Sequence, residues 1–513
     1  MASNAFKLAS PWSGMLLIAA LFLVSFGLRL PHLRDGTGME NLEASYHVLL
    51  TMTAMDQSPA AEHHYLPTVS LGQANDKGIA WGAAIPTKAG HEIYTSFLPA
   101  GFLVPLAALK LVGADLTLRN LALFNGLLGL VGALLAFALA LRVAEILAPD
   151  RTLNQRDSLL ATLPILFSAQ ALQSTGLIYW HQCLYQLILL ATCRSWLSIA
   201  SSTPPQSKGA AIGLAVLAFI GPFFDWTALL VNGAIFLLLA TGFTSDRRRL
   251  ALAALVAGVT VLSLAITLAH FASLIGAEQF LNTSASRFGA RSATRTVHLL
   301  PWGYVKSYGL FLLIFAAAAL PVWRRLAKPW PDRGSRAVAG LAVVLAAACF
   351  ENLILYQHAS QFAFDRFKFA IALGLVIVVA LPQLDGRKRQ WMIGAIWAAA
   401  LIGVLTYIAE LRFYAPWNPI YASNQQLRGQ IDKLVDRRCA VFASDANVRG
   451  YTNLWLMRGV QEYVTPTIFG QMVAAQPPCG AVFLVSQTFK PDIFQYRAAV
   501  VVSPSGQVTV LKP

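Results

Sequence analysis

The chain has 513 residues, 56% hydrophobic and only 12% charged, with a mean hydropathy of +0.57 and a net charge of +15. Soluble globular proteins carry about 25% charged residues, so this composition excludes a soluble enzyme, a disordered chain and a disulfide-rich secreted domain. Excess Lys and Arg is typical of cytoplasmic loops that face anionic lipid, and because zinc-type cysteine spacing and a phosphate-binding loop are missing from the sequence, we set nucleic-acid binding aside. The apolar residues gather in runs of about 20, the length that crosses a bilayer core, which predicts a polytopic α-helical membrane protein.

Twelve apolar segments are predicted within residues 1–410. The first, 11–30, resembles a signal peptide but is longer than a typical one, and a convincing cleavage site does not follow it, so we expect a retained span. A polar loop over 31–94 comes next. The other segments lie near 95–113, 120–147, 158–173, 178–200, 209–222, 224–242, 249–272, 304–323, 335–356, 366–383 and 389–410.

Basic clusters predict the orientation. The densest clusters are 246–249, 324–336 and 387–389, which the positive-inside rule assigns to the cytoplasm. One span then separates the last cluster from the tail over 411–513, so the tail is expected outside, together with the 31–94 loop. Both conditions require an odd number of spans, and we expect 11 or 13. For a multi-pass protein of a bacterial inner membrane, this outer side is the periplasm.

The tail is predicted to form a small soluble α/β domain beside the membrane domain. It contains one helical stretch, two buried strands and a hairpin, at 424–437, 439–443, 481–485, and 498–502 with 507–511. Its two cysteines, Cys439 and Cys479, adjoin the first two strands. In an oxidising compartment they could be bridged, and two buried thiols fit the sequence equally well.

The 31–94 loop differs from the rest of the chain. It holds seven acidic residues against three basic ones and five of the nine histidines. Such a loop beside a membrane suits general acid/base chemistry or metal binding, although solvated loop charges are the plainer alternative for any one residue. Its candidate residues for substrate binding are His63, His64, Asp76, Lys77 and Lys88.

The stretch 38–55 sharpens this expectation. Its apolar residues fall at helical spacing, which predicts an amphipathic helix along the membrane surface. Glu40 and Glu43 are three residues apart and would share one face near the helix N-terminus. The helix dipole favours negative charge there, which is a sufficient structural explanation for both carboxylates.

The arrangement of a short span, an outer loop with an acidic residue three before Tyr46, many spans and an outer tail resembles the GT-C class of integral-membrane glycosyltransferases. These enzymes commonly carry a D-E-x-x-x-Y/F-like element in the first outer loop, and here Leu42 replaces the first acidic residue, so that only Glu43 matches. The segment 86–113 is similar to the family's K-P-P element, with Lys88 displaced and one Pro missing.

The resemblance implies a GT-C-like fold and sugar transfer from a polyprenyl-phosphate donor to a cell-envelope glycan, lipid or protein. Glu43 is then the candidate catalytic base, with Glu40 beside it, and Tyr46 is a candidate for substrate binding. Lys77 and Lys88 are candidates for the departing phosphate, and balancing of their acidic neighbours is the plainer alternative for each. Some members of the class need a divalent metal ion, and this sequence leaves that requirement open.

Three later segments add candidates. His181, in 173–186, stands where the class often has a second acidic residue, although an interfacial aromatic belt also explains this segment. Asp225, at a break between apolar halves, is either a functional group or a cap. Between two more basic loops lies an outer loop whose arginines, four residues apart, are suited to phosphate or to anionic lipid headgroups: Arg287, Arg291 and Arg295.

The segment 356–369 places His358 at the mouth of a span, where this class often has a polar element facing the cavity. Snorkelling would explain the nearby Arg366 and Lys368. The main alternative functions are a transporter or flippase of lipid-linked sugars and a polysaccharide polymerase or ligase. Transporters usually show internal repeats and mid-membrane polar groups, whereas the unusual residues of this chain gather in outer loops.

Overall fold

The structure is a computed structural model. It describes residues 11–71, 83–147, 151–201, 208–243, 248–293, 298–326, 332–436, 441–443, 455–458, 460–463, 465–474, 480–490 and 493–513. Several residues singled out from the sequence lie outside these ranges, namely Asp76, Lys77, Arg295, Cys439 and Cys479. The cysteine bridge therefore stays a prediction.

The chain is mainly helical. The helices, in chain order, are α1 (Pro11–Arg29), α2 (Leu42–Gln57), α3 (Ala60–His63), α4 (Ala100–Leu111), α5 (Leu118–Leu147), α6 (Arg151–Phe167), α7 (Ala169–Ser174), α8 (His181–Ser201), α9 (Lys208–Ile220), α10 (Thr227–Ala240), α11 (Arg249–Ile275), α12 (Ala277–Arg291), α13 (Leu299–Tyr308), α14 (Leu310–Leu326), α15 (Arg333–Ile354), α16 (Tyr356–Gln361), α17 (Phe369–Ala380), α18 (Gly386–Tyr414), α19 (Asn418–Ile431) and α20 (Pro466–Ala474). Each of the twelve apolar segments corresponds to one of these helices or to the pair α13 and α14.

Six of the described helices are long and apolar enough to cross a bilayer unaided: α1, α5, α8, α11, α15 and α18. The pair α13 and α14 is bent by 101° at Gly309 and makes a seventh span if it is counted as one broken span. The other apolar segments form shorter helices, such as α4, α9 and α10. The chain is thus a multi-pass helical membrane protein, and the number of 11 or 13 spans stays a prediction.

The bundle is held together by an apolar core in which α6 packs between α5 and α17. Small residues permit the close helix contacts. Gly374 of α17 approaches the backbone of α6 so closely that an added Cβ would lie 2.6 Å from the carbonyl oxygen of Ala161. A similar contact joins Gly403 of α18 to Phe167 at the end of α6. Close packing of this kind replaces the hydrophobic drive that is missing between helices in lipid.

The tail contains a five-stranded sheet, as expected for an α/β domain. Its strands are β3 (Val441–Ala443), β4 (Val460–Tyr463), β5 (Ala481–Lys490), β6 (Ile493–Val502) and β7 (Val508–Leu511), and their order is β4-β3-β5-β6-β7. The predicted hairpin is present, because β6 pairs antiparallel with β7 and Val502 faces Val508. Helix α19 packs against β6.

The 31–94 loop packs against both the bundle and the tail. It contains α2, α3 and the antiparallel hairpin of β1 (Ala84–Pro86) and β2 (Glu92–Tyr94). One apolar cluster joins α2 to the start of α8 and to the tail sheet. Because the loop and the tail touch, they lie on the same side of the membrane. The loop follows the first span and the tail follows the last one, so a shared side requires an odd number of spans.

Helix α2 differs from the expected amphipathic surface helix. It begins at Leu42 rather than near residue 38, and nearly all of its residues are buried, including Ser45 and Thr51. The reason is that α2 is covered on several sides. The Ser45 hydroxyl donates to the carbonyl of Leu177 at 2.8 Å and accepts from the backbone N–H of Tyr179 at 2.8 Å, which fixes α2 to the segment before α8.

Candidate active site

A cavity of about 800 Å³ opens between α2, α12, α13 and α16. We call it the main cavity. It brings together five of the residues predicted as site residues, and aromatic side chains form much of the rest of its lining. The five are Glu40, Glu43, Arg287, Arg291 and His358. Residues that are up to 318 positions apart in the sequence thus meet around one space.

The acidic side of the main cavity is formed by the start of α2. Glu43 lies in the first helical turn and is partly buried, whereas Glu40 precedes the helix. Between them Asn41 adopts a left-handed conformation, with φ of 62°, which Asn tolerates better than most residues. The Asn41 side-chain oxygen accepts from the backbone N–H of Ala363 at 3.0 Å. This bond fixes the acidic turn against the segment that follows α16.

The basic side is formed by α12. Arg291 is nine-tenths buried, and its guanidinium lies 4.5 Å from the centre of the Phe97 ring in a cation–π contact. Its Nε has no hydrogen-bond partner among the described residues. Arg287, one turn earlier, donates to the Ser96 hydroxyl at 3.4 Å. A buried guanidinium with unused donor capacity beside a cavity is suited to an anionic ligand.

Two further cations stand where the main cavity meets a neighbouring cavity of about 450 Å³. Lys306 of α13 lies 2.5 Å from the carboxylate of Glu40. Arg366 is buried, and its Nε donates to the Ser307 hydroxyl at 3.0 Å. Glu40, Lys306 and Arg366 line both cavities. Arg366 is therefore part of the protein interior and does not snorkel to the membrane surface.

His358 forms a dyad with Asp365 on the wall of the main cavity. Its Nδ1 is hydrogen-bonded to the carboxylate of Asp365, whose other oxygen accepts from the Gln182 amide at 2.9 Å. Burial lowers the pKa of the His358 imidazole, partly offset by Asp365. Burial raises the pKa of the Asp365 carboxyl, but His358 and Lys368 together outweigh this effect and the pKa lies below its usual value. The pair is thus a neutral imidazole held by a carboxylate.

Behind the cavity lies a buried charge network that includes His181. The Nε2 of His181 lies 3.3 Å from a carboxylate oxygen of Asp225. The Thr227 hydroxyl is within 2.6 Å of Asp225 and 2.5 Å of Glu351, and Glu351 in turn pairs with Lys368. His181 is buried beneath Phe97 and Trp180, at 4.3 Å and 5.4 Å between ring centres, and belongs to no interfacial belt. Lys368 is also buried and does not snorkel.

Tyr46 is turned away from the main cavity. Its hydroxyl donates to Asp35 at 3.0 Å and accepts from the Gln425 amide at 3.1 Å, and its ring lies 4.4 Å from that of Trp455. It lines a separate cleft of about 240 Å³ between α2 and α19. In this structure Tyr46 holds the tail against α2, although the motif suggested contact with substrate.

The other loop candidates that the structure describes, His63, His64 and Lys88, are not in the cavity lining. His63 is buried near the end of α3, and the carbonyl of His64 accepts from His270 at 2.6 Å. Lys88 is exposed in the turn of the β1–β2 hairpin. Within the described ranges no group of three His, Cys, Asp or Glu side chains is placed to hold a metal ion.

Several residues in and behind the cavity were not predicted from the sequence. Lys306 and Glu351 were overlooked, although a lone charged residue in an apolar segment is itself a signal of function. Phe97 and Trp180 carry no such signal, because aromatic residues near the ends of spans usually belong to the interface. Their place in the cavity depends on tertiary packing.

Comparison with known proteins identifies the fold through structural similarity. The sequence matches no protein-family model and no curated protein sequence. The structure is similar to that of ArnT from Cupriavidus metallidurans bound to undecaprenyl phosphate, with a TM-score of 0.58 and 13% identity over 93% of each chain. It is also similar to the archaeal oligosaccharyltransferase AglB from Archaeoglobus fulgidus in complex with an inhibitory peptide and a dolichol-phosphate, with a TM-score of 0.54 and 12% identity over 99% of this chain and 75% of that one. The chain therefore has a GT-C-like fold.

Proposed function

We propose that this protein is a membrane glycosyltransferase that moves a sugar from a polyprenyl-phosphate donor to an acceptor on the outer side of the membrane. The observation that carries the proposal is the pairing of two carboxylates with four cations around one cavity. The cations are Arg287, Arg291, Lys306 and Arg366. The two similar structures, which hold undecaprenyl phosphate and dolichol-phosphate, support the choice of donor.

The chemistry needs one base and a positive site for the leaving group. The acceptor hydroxyl oxygen forms a bond to the anomeric carbon while the bond from that carbon to the phosphate oxygen breaks. The carboxylate of Glu43 takes the hydroxyl proton, and the lipid phosphate leaves with the bonding electrons. Arg287 and Arg291 are suited to the charge that develops on this phosphate, because guanidinium groups bind phosphate oxygens through paired N–H donors.

The proposed location is a bacterial inner membrane with the main cavity facing the periplasm. The basic clusters at 246–249, 324–336 and 387–389 support this orientation, since such clusters stay in the cytoplasm. The acceptor is then lipopolysaccharide, another cell-surface glycan or a protein.

A transfer assay in proteoliposomes tests the proposal. The purified protein receives radiolabelled undecaprenyl-phosphate hexoses and separate lipopolysaccharide, glycan and protein fractions, and we expect label to appear in one fraction. Replacing Arg287 and Arg291 together by Gln should weaken undecaprenyl phosphate binding about 10- to 100-fold, since hydrogen bonds to charged groups contribute about 1.5–3 kcal/mol.

The matched control is Arg194→Gln, an exposed arginine of α8 whose guanidinium donates to the Ala138 carbonyl, outside the main cavity. Its binding should equal that of the wild type. Movement of the lipid-linked sugar across the bilayer without a new glycosidic bond would contradict the proposal and favour the transporter. Equal binding by the double variant would show that α12 does not hold the phosphate.

A further inference from the structure

The dyad of His358 and Asp365 has an orientation that the transfer step above does not use. His358 lines the main cavity, and its Nδ1 is engaged by Asp365. Within the described residues, no hydrogen bond is made to its Nε2. Gln182 of α8 supports Asp365 from behind at 2.9 Å, so the imidazole is held in place by two helical elements. One ring nitrogen therefore remains for a ligand.

The pairing decides which kind of hydrogen bond this nitrogen can make. A carboxylate accepts but does not donate, so the proton of the neutral imidazole resides on Nδ1. Nε2 then carries a lone pair and can only accept. It suits a hydroxyl or amino group of a ligand and cannot donate to a phosphate oxygen.

The surroundings of His358 are aromatic. Phe362, Phe97 and Phe364 have ring centres 4.5, 5.8 and 6.2 Å from the imidazole, and Phe364 stacks on Trp180 at 5.6 Å. All four rings line the main cavity. A site of apolar rings with one fixed polar group orients a ligand that has an apolar face and a polar edge. A pyranose has both, namely C–H faces and hydroxyl edges.

The position of the dyad relates it to the phosphate site. Phe97 is shared, because its ring contacts the Arg291 guanidinium on one hand and the His358 imidazole on the other. In a polyprenyl-phosphate sugar, the sugar is bonded directly to the phosphate. With the phosphate at Arg291, the sugar is the part of the donor that reaches the wall carrying His358.

We propose that His358, Phe97, Phe362 and Phe364 form the subsite for the transferred sugar, in which a sugar hydroxyl or amino group donates a hydrogen bond to Nε2 of His358. Asp365 is a positioning residue that acts through His358. This inference rests on the proposed function and deepens it. The subsite requires that the sugar of the polyprenyl-phosphate substrate carries a hydroxyl or amino group on the edge that faces His358.

Binding measurements on the purified full chain test the subsite. The probes are undecaprenyl phosphate and the same lipid carrying glucose, galactose, mannose or N-acetylglucosamine. For the wild type, we expect at least one sugar-bearing lipid to bind about 10-fold more tightly than undecaprenyl phosphate, the factor that one good hydrogen bond supplies. His358→Phe keeps an aromatic ring but removes the hydrogen-bond acceptor Nε2, so it should abolish this difference of about 10-fold in affinity.

Asp365→Asn is the second variant. It keeps the imidazole of His358 and the volume of side chain 365, but the amide no longer fixes the imidazole proton on Nδ1. It should lose the same factor, whereas affinity for undecaprenyl phosphate stays at the wild-type value in both variants. A merely structural role of the dyad would lower both affinities together. The matched control is His63→Phe, a buried histidine that does not line the main cavity.

Two outcomes would overturn the subsite. In the first, none of the four sugars adds affinity in the wild type. In the second, both dyad variants keep the sugar-dependent gain in affinity. If their transfer rate nevertheless fell, the dyad would act on the acceptor substrate instead of the donor sugar. Failure of the proposed function gives a different result, since the sugar-bearing lipid would then bind with its sugar-dependent factor while no label is transferred to any acceptor fraction.

Discussion

The two sides of α2 have different tasks. Glu43 and His47, four residues apart, line the main cavity. Tyr46 and Leu49 line the cleft beneath α19 and the tail. Successive residues of an α-helix are rotated by about 100°, so the step from Tyr46 to His47 is enough to change the space that a side chain enters.

The difference teaches how a short motif should be interpreted. An acidic residue and a tyrosine three positions apart suggest one joint role when they are considered as a sequence pattern. In the structure the acid lines the main cavity, and the tyrosine contacts Asp35, Gln425 and Trp455. Changes on the two sides of α2 should therefore separate activity from stability.

The largest expected effect is on the cavity side. Glu43→Gln keeps the shape of the side chain but removes the proposed base, and general-base contributions are about 100- to 10,000-fold. We expect the transfer rate to fall by that factor, with little change in thermal stability or in undecaprenyl phosphate binding. The rate is measured as label transferred per folded molecule.

Glu40→Gln is the matched variant for this test. It removes the ion pair with Lys306, and an exposed pair of this kind contributes about 0–1 kcal/mol. Its transfer rate should therefore fall less than about fivefold. Equal losses in the two variants would mean that the carboxylates act together, and no loss in either would remove the catalytic role of α2.

The next effect is on the tail side. Tyr46→Ala deletes a buried ring and should lower the free energy of unfolding by about 3 kcal/mol or more. Tyr46→Phe removes only the hydroxyl and should lower it by about 1 kcal/mol. Thermal unfolding and protease cleavage of the tail measure the change. If Tyr46→Phe instead reduced undecaprenyl phosphate binding, the separation of the two sides would fail.

The last expected effect depends on pH. Burial among Tyr94, Phe102 and Trp180 lowers the pKa of His47 to about 3. From about pH 6.5 downward the unfolded chain therefore binds a proton that the folded chain does not, which lowers stability by about 1.4 kcal/mol per pH unit. His47→Phe should remove this contribution, so thermal stability should fall less steeply between pH 6 and pH 4. The same change at exposed His64 is the control.

The sequence predicted those parts of the fold that depend on local composition. Apolar runs located the helices, and alternation with turn residues located the β6–β7 hairpin. The arginine spacing of four correctly placed Arg287 and Arg291 on one helix. These features are local because hydropathy and periodicity are read within about 20 residues.

The rest depended on contacts between distant segments. Burial of α2 could not be foreseen, because its cover comes from the tail and from the segment before α8. The partner of Asp365 on α8 is also remote in the sequence, and the partner of Lys368, 17 residues earlier, lies on a different helix, α15. Charges that looked like surface anchors in a linear pattern are interior ion pairs in the folded chain.

The contact between α2 and the tail has a consequence for biosynthesis. Tyr46 meets Gln425 and Trp455, which the ribosome adds only after almost all of the helices. Until then this side of α2 has no cover, and long sequence separation makes such contacts late events in folding. This contact therefore forms only after the tail has been synthesised, so a nascent chain that stalls before residue 418 leaves an uncovered aromatic surface on α2 open to proteases.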